Sequence, residues 1–173
     1  MRRIQENSIL SDWSSATYKA IDMVLDILIH YPEQEKQLYV ATLNQKMNIK
    51  DDTFMLIFGE NLTITFGSEG FILKSIDAYT NQTKWILEHV EIPPSTPSGL
   101  NLVNGHFDST DRLSIESEVI YFFDLNNKVL KIVLTNAKQE KFIALGNHLI
   151  VGMSDGLPST LIVKNIKIIK EIN

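Results

Sequence analysis

The sequence predicts a mainly β fold, either an antiparallel β-barrel or a two-sheet β-sandwich, with one N-terminal amphipathic helix packed on it. Three observations carry that expectation. The apolar period changes from three-and-four to two after Pro32. The segments of period two are rich in β-branched and aromatic residues. Short stretches of Gly, Asn, Asp and Ser separate them.

The helix is expected over about 12–31. Ser11 or Asp12 can cap its first amides. Trp13, Ala16, Ala20, Val24, Ile27 and Tyr31 recur at intervals of three and four, while Lys19, Asp22 and Asp26 mark the wet side. Pro32 ends it, because proline disfavours helical geometry in the residue before it. Strands follow at Leu38 to Leu43, Thr53 to Phe58, Leu62 to Phe66, Phe71 to Ile76 and Trp85 to Ile92. Gly59-Glu60-Asn61 and Gly67-Ser68-Glu69-Gly70 read as tight hairpin turns. Three of the five prolines then fall in 93–99, a loop that divides a first β half, about 36–92, from a second, about 100–173. In the second half, strands are expected at Arg112 to Glu116, Val119 to Asp124, Lys128 to Leu134, Lys141 to Leu145, His148 to Met153 and Thr160 to Ile169. Asn126-Asn127 and Ser154-Asp155-Gly156 are the plainest turns between them.

The halves also align with each other. Phe66, Leu73 and Lys74 lie 57 residues before Phe123, Leu130 and Lys131, which suggests two duplicated three-stranded meanders. At 173 residues and 44% apolar or aromatic, the chain is read as a single domain over 1–173. A chain of that length buries roughly 70% of its unfolded surface, enough for a core without staples.

Composition narrows the functional classes. Without cysteine there is no disulfide framework, no thiolate zinc site and no cysteine nucleophile. The apolar stretch from Ala20 to Tyr31 contains Asp22 and Asp26, which argues against a signal peptide and a membrane span. The expectation is therefore a cytoplasmic protein that engages no membrane. Net charge is −5, and Arg2, Arg3 and Arg112 are the only arginines. Proteins that track a nucleic-acid backbone cluster Lys and Arg, so nucleic acid is not an expected partner. A basic protein is.

No motif carries a reaction. Gly67 to Gly70 joins two expected strands instead of opening a helix, and neither a G-x-S-x-G elbow nor a paired-histidine helix motif is present. No catalytic residue and no cofactor are assigned. His30 suits a helix C-terminus, and His89 and His148 lie in or beside strands without an identifiable partner. His106, Asp108 and Asp111 bring metal-compatible ligand types into one loop, without a second cluster to complete a shell. Asp51 with Asp52, and Glu116 with Glu118, are paired carboxylates of the kind that read as wet surface. Asp108, Asp111, Glu116, Glu118 and Asp124 concentrate negative charge opposed only by Arg112, and are the candidate partner-binding residues. The leading expectation is a small acidic, non-enzymatic binding protein, such as an immunity-type inhibitor that occludes a basic toxin nuclease. The alternatives are a barrel-type carrier of a small apolar ligand and an enzyme built on the His106 loop.

Overall fold

The computed structural model describes residues 14–29, 54–67, 73–97, 112–138 and 140–170. They form two seven-stranded sheets with their turns and connections. The first contains β1 (Ser14–Lys19), β2 (Val24–Ile29), β3 (Phe54–Phe58), β4 (Leu62–Phe66), β5 (Leu73–Tyr79), β8 (Arg112–Ile115) and β14 (Lys167–Ile169). The second contains β6 (Ile86–Leu87), β7 (Thr96–Pro97), β9 (Ile120–Asp124), β10 (Val129–Val133), β11 (Lys141–Leu145), β12 (Leu149–Ser154) and β13 (Leu157–Lys164). Neither closes on itself: the orders are β14-β1-β2-β5-β4-β3-β8 and β6-β9-β10-β13-β12-β11-β7. The sheets face each other across one core, in which Tyr18, Leu25, Ile27, Phe58, Ile64 and Ile76 of the first meet Phe123, Leu130, Ile132, Val151, Leu161 and Val163 of the second. The fold is a sandwich. No barrel is closed among the described residues.

The expected helix over 12–31 is overturned within its described part. Ser14–Lys19 and Val24–Ile29 are instead an antiparallel hairpin, with Tyr18 opposite Leu25 and Ala16 opposite Ile27. Met23 at φ 57° turns the chain between them. The physical reason lies in the burial alternation, since Leu25, Ile27 and Ile29 are buried while Asp26 and Leu28 face outward. The helical spacing puts Val24 and Ile27 on one face, whereas the strand turns Val24 outward with Asp26 and Leu28, and an apolar run rich in isoleucine favours the strand. The strand expected at Leu38 to Leu43 lies outside the described residues, as do Trp13, His30 and Pro32.

Most other strands stand where their period put them. The segment 85–92 shrinks to the two residues of β6, the Thr160 to Ile169 run divides into β13 and β14, and β7 lies inside the expected loop 93–99. Asp155 and Gly156 both take positive φ, 52° and 78°, the geometry of a two-residue hairpin turn.

The two sheets repeat one strand order, at other offsets than 57. Each sheet contains five antiparallel strands joined in one order, β1-β2-β5-β4-β3 in the first and β9-β10-β13-β12-β11 in the second. Leu25 pairs with Ala78 where Leu130 pairs with Val163, and Ile27 pairs with Ile76 where Ile132 pairs with Leu161. Register shifts interrupt both ladders at one equivalent place, between Thr65 and Phe66 and between Gly152 and Met153. Gly59 at φ 58° and Gly146 at φ 71° open the same turn. The equivalences put Phe66 beside Met153 in rank and Phe123 beside Tyr18, so the 57-residue alignment compared strands of different rank.

Each copy also completes the other. After β5 the chain crosses over and adds β6 in parallel beside β9, pairing Leu87 with Phe123. After β13 it crosses back and adds β14 in parallel beside β1, pairing Ile168 with Tyr18. Trp85 and Ile166, both buried, are the residues just before these two exchanged strands. The Trp85 ring lies 4.7 Å from Tyr18 and 5.4 Å from Phe123. Its indole N–H donates to Thr80 Oγ1 at 2.9 Å, and the Tyr18 hydroxyl donates to the Thr80 carbonyl at 2.7 Å. The neighbouring Tyr121 hydroxyl is pushed up to about 12, chiefly by burial, with a hydrogen bond to Thr80 pulling the other way.

Candidate binding face

The two outer faces differ sharply. From β6 at one edge of the second sheet to β7 at the other, residues 88–95 run across its outer face. Six strand spacings of about 4.8 Å make roughly 29 Å, which nine residue steps cover only when almost fully extended. Pro93 and Pro94 suit that, since their φ is fixed in the extended range. Val90 is the anchor: it is buried with Val129, Ile150 and Ile162, against Phe122, Phe142 and Ala144.

Asp124 holds this strap. Its carboxylate accepts from the Val90 N–H at 3.1 Å and from His89 Nδ1 at 2.8 Å. It also accepts the N–H groups of Asn126 and Asn127 at 3.1 and 3.0 Å, and the Asn127 amide at 2.9 Å. These donors, Asn127 first, hold its carboxyl far below the usual carboxylate range. Asp124 is 3% exposed, under a thin cover made by its own turn and the strap, and its acceptors are spent within the chain. Glu116 and Glu118 are exposed between β8 and β9. Asp108, Asp111 and His106 lie outside the described residues, as do Asp51 and Asp52. The structure therefore brings Glu116 and Glu118 to the surface and turns Asp124 inward.

His89 on Asp124 has the look of part of a hydrolase triad, but the contact belongs to the strap clamp, and the His89 side chain is 71% exposed. His148 Nδ1 donates to the Lys164 carbonyl at 3.0 Å across a hairpin end. Glu140 accepts from Ser159 at 2.6 Å and from Thr160 at 2.5 Å, and Ser159 also contacts the Gly152 carbonyl at 3.0 Å. Both hydroxyls are buried and satisfied, an arrangement that stiffens the bulged part of β12. Among the described residues no group of three or more His, Asp or Glu is placed to hold a metal ion, and no helix is long and apolar enough to cross a membrane.

The outer face of the first sheet carries the feature that sequence reasoning missed. Asp26 on β2 pairs directly with Asp77 on β5, and Thr17 and Thr63 continue the same row on either side. Like charges directly opposite each other on a sheet repel. The Asp77 carboxyl is pushed up to about 6 by burial first, then by the hydrogen bond and the charge of Asp26, with a Ser75 hydrogen bond pulling the other way. Among the described residues no lysine or arginine forms an ion pair with either aspartate. Leu28 and Tyr79, 45% and 53% exposed, flank the pair with apolar surface.

A folded-state value above the unfolded one means that the folded protein holds this proton more tightly. Stability from this pair is greatest in acid and falls as pH rises from about 4 through about 6. Asp77→Asn removes the penalty. After discounting for the exposed position, the expected gain is on the order of 1 kcal/mol at neutral pH and none near pH 4. Urea titrations at the two pH values measure it; an unchanged neutral-pH midpoint would contradict the strained pair.

Searched against family models the chain matches none, and a search of curated proteins returns no relative.

Proposed function

We propose that the chain is a non-enzymatic binding protein for a basic protein partner, acting by occlusion in the way an immunity-type inhibitor covers a toxin nuclease. The observation that supports this best is the Asp26–Asp77 contact: two carboxylates side by side on an outward sheet face, unneutralised among the described residues, in a chain of net charge −5. A cation delivered by a partner relieves the repulsion that the free protein carries, so binding energy and specificity arise at one spot. The exposed Glu116 and Glu118 add to the same negative field.

Affinity capture from the native host tests the reading. The expected result is one stoichiometric partner that is a basic protein, retained at low salt and released as salt is raised. Retention should also strengthen as pH rises through about 6, because the bound cation favours ionised Asp77. A stoichiometric partner that is acidic, or one insensitive to both salt and pH, would sink the proposal.

A further inference from the structure

The two copies differ in what lies on their outer faces, and the covered one is a template for the other. The strap 88–95 crosses the second sheet and seats Val90 against Val129, Ile150 and Ile162. The matching ladders put Val24, Thr63 and Asp77 at the equivalent places on the first sheet. Asp26 likewise stands where Lys131 stands, and Thr17 where Phe122 stands. The backbone platform is thus the same, with the same strand order and the same bulge. Among the described residues no strap crosses the first sheet.

We propose that the outer face of the first sheet is the seat of an extended, basic segment of the partner protein, laid across the strands as residues 88–95 are laid across the second. This rests on the binding reading above and adds the place, the conformation and the anchor. An anchor side chain that enters where Val90 enters its own seat meets Val24 along its stem, then Thr63 and the Asp26–Asp77 pair at its tip. That order, apolar first and anionic last, fits an arginine or lysine, whose long stem lies on apolar surface while its head finds a carboxylate. A valine there would leave the carboxylates unneutralised. The clamp changes too: Lys19 replaces Asp124, so this seat offers a donor to the ligand backbone where the second sheet offers an acceptor.

The probe is a labelled ten-residue peptide that copies residues 88–97 with Glu88→Lys, Val90→Arg and Glu91→Lys; the unaltered copy is its control. Both are titrated into the full-length 15N-labelled protein, wild type and the Asp26→Asn/Asp77→Asn double variant. The double variant keeps the shape of both side chains and removes a repulsion, so it is expected to fold. The expected result is saturable binding of the basic peptide, with amide shifts centred on Thr17, Asp26, Thr63 and Asp77. The double variant should bind it at least tenfold more weakly, as should wild type the unaltered copy. Saturable binding with shifts gathered instead at Glu116 and Glu118, unchanged in the double variant, would overturn this seat while leaving a basic partner in place. No binding of the basic peptide would also overturn it, and the capture experiment then judges the broader reading by itself.

Discussion

Trp85→Ala is expected to cost about 3–5 kcal/mol, the range for removing a large aromatic from a packed core. That is a large part of the roughly 5–15 kcal/mol by which a domain is stable. The side chain is 6% exposed and wedged at the point where the chain leaves the first sheet to complete the second. It contacts Tyr18 in the first sheet and Tyr121 and Phe123 in the second, so its loss opens a cavity shared by both. Each aromatic pair adds roughly 0.5–1.5 kcal/mol beyond burial. Thr80 Oγ1 loses a donor at the same time. Trp85→Phe separates these contributions: it keeps most of the packing but not the indole N–H, and should cost about 1–2 kcal/mol. Urea unfolding followed by far-ultraviolet circular dichroism measures both. Hydrogen exchange should show Leu87 and Glu88, whose N–H donates to the Phe123 carbonyl, losing protection before the centre of the sheet. A cost under about 1 kcal/mol for the alanine variant would mean that the exchanged strands do not depend on this wedge.

The strand interiors were legible because their information is local. Leu62-Thr63-Ile64-Thr65-Phe66 alternates buried and outward residues along its whole length, as its period requires. Turns were legible for the same reason, since Gly59 and Gly156 supply a positive φ at the positions where hairpins need one. The first hairpin was misjudged because Val24-Leu25-Asp26-Ile27-Leu28-Ile29 satisfies two periods. One signal in the chain separates them: Val129-Leu130-Lys131-Ile132-Val133-Leu134 has nearly the same pattern 105 residues later, in a segment whose neighbours read plainly as strands.

The repeat was blurred by unequal connections. Copies that begin 105 residues apart at Val24 and Val129 are only 87 apart at Gly59 and Gly146, because the chain spends 24 residues, 30–53, between β2 and β3 and only seven, 134–140, between β10 and β11. A single constant offset cannot follow that. The candidate face was hidden by a different cause. Asp26 and Asp77 are far apart in sequence and meet only through the β2–β5 pairing, a non-local contact that no composition or spacing announces. The acidic stretch near Asp124 was conspicuous in sequence, yet Asp124 itself proves to be a cap for a turn and a strap.

Ile162→Asp and Asp77→Ile are the same exchange made in opposite directions at equivalent positions, and their effects should be opposite and unequal. Ile162 is 2% exposed beneath Val90 and beside Ile150. A carboxylate there loses the buried isoleucine contacts and faces an apolar strap, a change that usually costs about 3–5 kcal/mol when no partner neutralises it. Lys131 pairs with this position across β10 and can supply part of that neutralisation by leaving the Phe122 ring, 5.9 Å away. The expected cost is therefore about 2–4 kcal/mol. The strap should yield first, since Val90 is held by this seat on one side and by Asp124 on the other. Limited proteolysis within 88–95 at native conditions, preceding global unfolding, is the expected sign. Asp77→Ile instead removes a like-charge contact from an exposed position, with an expected gain on the order of 1 kcal/mol at neutral pH. It should also abolish capture of the basic partner. If Ile162→Asp proved as benign as Asp77→Ile, the strap would not be what distinguishes the two faces, and the first sheet would lose its claim to a seat equivalent to that of the second.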